Sequence, residues 1–182
     1  MKKKLFVVVL VFVTMFTLRS FAQDSSRVDV FGGYSLVRGG GLTFNGWGVD
    51  GSYNINNWIG IAGSFGGHYN NQSIAGFSAK SNLYTYMFGP RIYTSSGKVK
   101  PFGQFLMGGA HSNVSTDVPG FGSISAGAGG FAMALGGGLD YRVSDGFSIR
   151  PGELDYLMTR FSGQSSNNLQ YSAGIVFHFG SR

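Results

Sequence analysis

The sequence predicts an all-β protein, an eight-stranded antiparallel barrel of up-and-down topology that crosses a membrane. Three observations predict it. The last strand alternates between large and small side chains from Leu169 to Phe179. The first residues have the form of an export signal. The segments between strands alternate between tight turns and longer connections. A strand places successive side chains on opposite faces. Leu169, Tyr171, Ala173, Ile175, Phe177 and Phe179 therefore share one face, and Gln170, Ser172, Gly174, Val176 and His178 share the other.

The N-terminus reads Met1-Lys2-Lys3-Lys4, followed by a run without charge from Leu5 to Leu18 and by Ser20-Phe21-Ala22. A basic start, an apolar middle and small residues before the cut make a secretory signal, with cleavage expected after Ala22. The apolar run is shorter than the ~20 residues of a spanning helix. Residues 1–22 are thus assigned to the signal and 23–182 to one domain. The signal holds four of the 14 basic residues and none of the 8 acids, so the rest of the chain carries ten against eight, a net of +2. The high pI comes largely from the signal, and no nucleic-acid partner is inferred from it. Cysteine is absent, which rules out disulfides and thiolate metal sites. Glycine is abundant at 31 residues, which disfavours long helices.

The eight strands are read at 28–37, 43–54, 58–69, 82–93, 98–110, 131–143, 147–160 and 169–179. Each comes close to or exceeds the ~9–11 residues of a tilted membrane strand. Asn54-Ile55-Asn56-Asn57, Thr94-Ser95-Ser96-Gly97 and Ser144-Asp145-Gly146 follow strands two, four and six and have the composition of tight turns. Asn70–Ser81, His111–Gly130 and Phe161–Asn168 follow strands three, five and seven and are read as longer loops; the first connection, Arg38–Leu42, is short and rich in glycine. Short periplasmic turns and longer outer loops characterise outer membrane barrels. The loop with Pro119 and its many glycines is expected to be mobile.

The quality of the two faces sets their orientation. In strand two, Trp47, Val49 and Tyr53 oppose Gly48, Asp50 and Ser52. In strand three, Ile59, Ile61, Phe65 and Tyr69 oppose Gly60, Ala62, Ser64, Gly66 and His68. Strand four sets Tyr84, Tyr86, Phe88 and Ile92 against Thr85, Met87, Gly89 and Arg91. Strand six sets Phe131, Met133, Leu135, Leu139 and Tyr141 against Ala132, Ala134, Gly136, Gly138, Asp140 and Arg142. An eight-stranded barrel has little interior room. The large residues are therefore expected to meet lipid, with small and charged residues inside. In strand one, Phe31 interrupts the pattern. In strand five, Phe105-Leu106-Met107 is apolar on both faces. In strand seven, Arg150 does not share a face with Glu153 and Asp155; either a bulge at Pro151-Gly152 restores the register or Arg150 reaches outward at the rim.

Phe88-Gly89-Pro90-Arg91, Lys100-Pro101-Phe102-Gly103 and Gly136-Gly137-Gly138-Leu139-Asp140-Tyr141 resemble segments of the OmpA-like eight-stranded outer membrane barrels. The resemblance spans the whole chain after the signal. It implies an outer membrane location, contact with outer membrane lipid and lipopolysaccharide, and assembly by the barrel-assembly machinery. Ser172, Gly174, Phe177 and Phe179 resemble the terminal signal which that machinery reads, although Gly180-Ser181-Arg182 follow the final Phe. Some members carry a second domain that binds peptidoglycan; no such tether is expected here.

Asp50, Arg91, Asp140, Arg142, Glu153 and Asp155 are expected to project into the interior as a paired charge network. A fixed network that fills the barrel is preferred over a gate for ions. His68, His111 and His178 are candidates for a Ser/His/acid site, but no acid is evidently placed to orient any of them. The scattered histidines lack metal-ligand spacing, and the glycines fit no phosphate-binding motif. No catalytic, cofactor or metal site is assigned. The expected function is a structural, monomeric outer membrane barrel. Two alternatives are kept: a surface-binding barrel acting through its outer loops, and a soluble periplasmic ligand-binding barrel with its aromatics turned inward.

Overall fold

The computed structural model describes residues 26–180 apart from 75–76, 95–96 and 119–121; of 72–79 and 117–124 only the backbone is described. The expected signal and its cut, Ser95-Ser96, Pro119-Gly120 and Ser181-Arg182 lie outside the described residues.

Eight strands form one closed antiparallel barrel in chain order: β1 (Val28–Gly39), β2 (Leu42–Asn54), β3 (Ile59–Ile74), β4 (Phe77–Tyr93), β5 (Val99–Val118), β6 (Gly122–Arg142), β7 (Phe147–Phe161) and β8 (Gln164–Phe179). β1 pairs with β8 from Val28↔Phe179 to Arg38↔Leu169 and closes the ring. Closure leaves no free edge within the hydrocarbon, where an unpaired backbone amide has no water to turn to. Among the described residues no helix is long and apolar enough to cross a membrane.

The large residues face outward as the alternation predicts. Tyr86, Leu135 and Phe177 are 54%, 55% and 49% exposed. This overturns the soluble ligand-binding alternative, which required them inside. Trp47, Tyr69, Tyr34 and Tyr171 ring the outer end of this surface, and Tyr53, Trp58 and Tyr141 ring the opposite end. Amphipathic rings of this kind belong at the two membrane interfaces.

Three expectations about connections need correction. The described residues of Asn70–Ser81 and His111–Gly130 are paired strand. Pairing continues to Ile74↔Phe77 between β3 and β4, to Ser78↔Asp117 between β4 and β5, and to Val118↔Gly122 between β5 and β6. β3 to β6 thus rise beyond the barrel as a four-stranded wall, and β6, at 21 residues, is about twice the ~9–11 needed to span. Above the membrane both faces meet water, so the apolar alternation that marks a strand is lost while the ladder persists. The connection after β7 is not long either: it turns at Ser162-Gly163, with φ of 47° and 86°. Gly40-Gly41, at 59° and 79°, makes the same kind of two-residue hairpin between β1 and β2. Positive φ at both central positions matches the right-handed twist of the strands it joins.

Candidate functional site: the filled lumen

The interior divides into layers. At its middle lies Arg150 of β7, 1% exposed. Its Nε donates to Asp140 Oδ1 at 2.7 Å and its Nη2 to Asp140 Oδ2 at 3.2 Å, a side-on two-point pairing. Its Nη1 donates to Asp50 Oδ2 at 3.0 Å and to Glu153 Oε2 at 2.5 Å. The guanidinium also lies against the rings of Phe31 and Phe102, at 4.5 and 4.4 Å from their centroids. Phe31, which breaks the pattern of β1 in the sequence, is buried as a platform for this cation.

Arg91 of β4 is the second cation. Its Nη2 donates to Asp50 Oδ2 at 3.2 Å and to Gln104 Oε1 at 2.5 Å, and it stacks on Phe102 at 4.7 Å. Gln104 then donates through Nε2 to Glu153 Oε1 at 2.8 Å and to Asp155 Oδ2 at 3.0 Å. Contributions thus come from β1, β2, β4, β5, β6 and β7. Every charge has a partner, as buried ions require.

Of the six charges named from sequence, Asp50, Arg91, Asp140, Glu153 and Asp155 meet in this layer. Arg142 does not. It is half-buried near the end of β6, its backbone N–H donating to Lys98 O at 2.8 Å. Arg150, for which the sequence left two outcomes open, joins the layer. The cause is the bulge: the β7–β8 register shifts between Arg150 and Glu153, so both turn inward. That decides the open choice at strand seven, and Arg150 does not reach outward. Gln104, Phe31 and Phe102 were missed because none is charged; a Gln on the inward parity of β5 was the available signal.

Toward the periplasmic end, Asp29 of β1 accepts from Asn54 Nδ2 at 2.8 Å and from Ser26 Oγ, and pairs with Lys100 Nζ at 3.3 Å. His178 Nδ1 lies 2.7 Å from Asp29 Oδ1, and its Nε2 lies 2.7 Å from Ser148 Oγ. An acid is therefore placed to orient His178, contrary to the expectation from sequence. The serine beside it is 2% exposed. β7 is paired on both sides at Ser148, with Arg142 and with Val176. The backbone around that hydroxyl thus belongs to strand ladders on both sides. What the arrangement does is stitch β1, β7 and β8 together where the ring closes.

The outer half of the lumen is mostly apolar. Val37, Leu83, Leu106 and Leu157 pack with Ala110, Ala132 and Ala134, joined by Met87 and Ala62. The expectation of an interior filled only by small and charged residues is incomplete here. Beside this cluster His68 Nε2 lies 2.9 Å from Ser35 Oγ, which is 3.0 Å from Ser172 Oγ and accepts from Gln170 Nε2 at 3.2 Å. Among the described residues no group of His, Cys, Asp and Glu converges so as to hold a metal ion.

The terminal residues resembling an assembly signal divide between faces. Ser172 is buried inside, whereas Phe177 and Phe179 face outward. Gly174 lies opposite Gly33, where a Cβ would come within 2.6 Å of Gly33 Cα. The ring closes at a point where both strands need glycine.

Comparison with known proteins agrees with this architecture. The family model described as outer membrane protein beta-barrel domain matches residues 8–179. Ail, the attachment invasion locus protein of Yersinia pestis, is similar at 19% identity and a TM-score of 0.58, covering 86% of this chain and 100% of that one. Neisserial surface protein A has 14% identity and a TM-score of 0.56, covering 84% and 96%. A major outer membrane protein from Thermus thermophilus has 12% identity and a TM-score of 0.58, covering 83% and 99%. No functionally characterised protein matches significantly in sequence.

Proposed function

Because the chain belongs to the outer membrane protein β-barrel family, we propose that it acts as a structural barrel of that membrane, monomeric and without enzymatic activity, its lumen sealed rather than conducting. The observation that carries this reading is the filled interior. A paired ionic layer and an apolar layer follow one another along the axis. An eight-stranded wall encloses a space that side chains alone can fill. The Ser148–His178–Asp29 contacts do not alter the reading, since the hydroxyl is enclosed between paired strands. Outer membrane lipid and lipopolysaccharide surround the apolar wall. Ser172, Gly174, Phe177 and Phe179 serve as the contact for the barrel-assembly machinery.

The test has two arms. Planar-bilayer recording of the folded, heat-modifiable protein is expected to show no unitary conductance; steady open-channel currents would overturn the sealed lumen. A fluorophosphonate probe is expected to leave Ser148 unlabelled, and labelling abolished by Ser148→Ala would overturn the non-enzymatic part.

A second reading, surface binding, is favoured by one observation. The wall formed by β3 to β6 stands above the barrel as a continuous ladder, and paired strands present a more ordered surface than loops do. Ail has been crystallised with the heparin analogue sucrose octasulfate. In this chain the strand extensions 70–82 and 111–129 hold Lys80 and His111 as their basic side chains and are otherwise mostly small and uncharged. A neutral ligand suits them better than a polysulfated one.

A further inference from the structure

The ionic layer holds more acid than cation. Two guanidiniums, Arg91 and Arg150, face four carboxyls, Asp50, Asp140, Glu153 and Asp155, and all six residues are at most 5% exposed. Asp140 and Glu153 each pair with Arg150, and Asp50 pairs with both cations. Among the described residues Asp155 pairs with no cation. The other titratable groups of the lumen are engaged elsewhere. Lys100 of β5 and His178 of β8 hold Asp29 toward the periplasmic end, and His68 of β3 contacts Ser35 of β1 beside the apolar cluster. Arg142 lies near the end of β6, opposite Ser148. β8 sets Ser172 opposite Glu153 and Gln170 opposite Asp155, and neither carries charge.

Hydrogens are short as well. Gln104 Nε2 carries two, and three carboxyl oxygens share them: Glu153 Oε1 at 2.8 Å, Asp155 Oδ2 at 3.0 Å and Asp155 Oδ1 at 3.2 Å. The Glu153 and Asp155 carboxyls are also in hydrogen-bond contact with each other. Two ionised carboxylates cannot make such a contact, because each is only an acceptor. In a dry interior their like charges would also repel strongly. Gln170 supplies a second, independent sign. It is 7% exposed, its Nε2 donates to Ser35 Oγ, and its Oε1 has no hydrogen-bond partner. A donor is missing on this side of the layer, and among the described residues no side chain supplies it.

We propose that Glu153 and Asp155 bind one proton between them at neutral pH, a titratable site enclosed in the lumen. The site rests on the sealed lumen proposed above, since water in the layer would solvate both anions. With the proton in place, one carboxyl of the pair donates to the other, and a single negative charge remains for Arg150. Loss of the proton leaves a buried anion without a cation, so the layer is expected to loosen in alkali. Infrared spectroscopy of the folded, heat-modifiable protein in an ester-free detergent reads the proton directly. At neutral pH the wild type should show the C=O stretch of a protonated carboxylic acid, and that band should vanish on titration with alkali. It should be missing in Asp155→Asn at neutral pH, because Glu153 ionises once its neighbour carries no charge. A wild type without the band at neutral pH overturns the site, whether the charge is then balanced by a bound metal cation or by solvent. A band that survives in Asp155→Asn places the proton elsewhere and overturns it too.

Unfolding gives a second measurement. In the unfolded chain both carboxyls are ionised above about pH 5. A proton kept only by the folded protein then lowers stability as pH rises, until the folded site itself titrates. Between about pH 5 and 7 the unfolding constant of the wild type should therefore rise about tenfold per pH unit relative to that of Asp155→Asn, since one proton separates the two states. The ratio cancels the titration of groups common to both proteins. Parallel profiles overturn the site. If the variant does not fold, the infrared titration of the wild type decides alone. Planar-bilayer recording separates this reading from the seal: a missing band without unitary current overturns the proton site only, and a missing band with current overturns the seal as well.

Discussion

Along the axis of the lumen, the layer around Arg150 and the layer around Leu157 fill similar space by opposite means. The first ties five strands together through Asp50, Arg91, Gln104, Asp140, Glu153 and Asp155. The second packs Val37, Leu83, Leu106 and Leu157 against alanines. Both exclude water. They differ in how they respond to loss. An ionic layer relies on completeness, since each missing partner leaves a buried charge exposed to low dielectric. An apolar layer loses in proportion to the volume removed.

The largest expected effect follows from this difference. Arg150→Met keeps most of the side-chain volume but leaves Asp140 without its cation and removes one partner each from Asp50 and Glu153. A loss of ~3–5 kcal/mol is expected, as for the removal of one member of a buried pair. Urea unfolding of the refolded protein in detergent measures it. A loss below that of a leucine truncation in the outer layer would break the comparison.

The two layers also differ in how readable they were. Charges on an inward parity stand out on a strand, so five of the six charged residues expected to project inward do meet in the ionic layer. Arg150 was left open because parity counting alone cannot fix a bulge, and Pro151-Gly152 moves the count by a residue; Arg142 follows Asp140 by two residues and lies nearer the end of β6, opposite Ser148. The apolar layer was legible only in part: Ala62, Met87, Ala132 and Ala134 fall on the inward faces named from sequence, whereas its large leucines were hidden. Leu106 is flanked by Phe105 and Met107, and Leu157 by Tyr156 and Met158, so apolar neighbours on both faces hide which one points inward. The strand extensions of β3 to β6 were illegible for a related reason. Outside the bilayer no contrast between faces is required, and Asn, Ser and Gly read as loop. The outward aromatics were legible throughout because lipid demands them along the full height of the wall.

Leu157→Ala tests the outer layer. The side chain is fully buried among alanines. A loss of about 3 kcal/mol is expected, within the range for buried leucine truncations, and it should be nearly independent of ionic strength. Met at the same position conserves volume and should cost under about 1.5 kcal/mol. If the two substitutions cost the same, packing is not what holds this layer.

The comparison presumes that the wall itself is neutral between the layers, and Leu135→Arg checks that. Leu135 faces lipid on β6, beside the inward Ala134 of the apolar cluster. A cost of about 2 kcal/mol is expected for a cation near the middle of the belt, in line with barrels of this kind. The same substitution at Tyr141, near the interface, should cost ~0–1 kcal/mol. Equal costs at both depths would mean that the membrane midplane lies elsewhere on this wall.

The smallest expected effect is at the periplasmic edge of the ionic layer. Lys100 pairs with Asp29 at 3.3 Å and lies over the Tyr93 ring, but its side chain is 23% exposed. Asp29 also keeps Asn54, Ser26 and His178 when the lysine is lost. Lys100→Met should therefore cost only about 1 kcal/mol, the upper end for ion pairs reached by solvent. Salt distinguishes it from the Arg150 variant. At 1 M salt the screening length falls to ~3 Å, so most of the Lys100 contribution should vanish. Arg150, 1% exposed, is shielded from those ions and its loss should remain the same. Were both losses to shrink together in salt, solvent would be reaching the centre of the lumen, and the ionic layer would be a wet pathway instead of a seal.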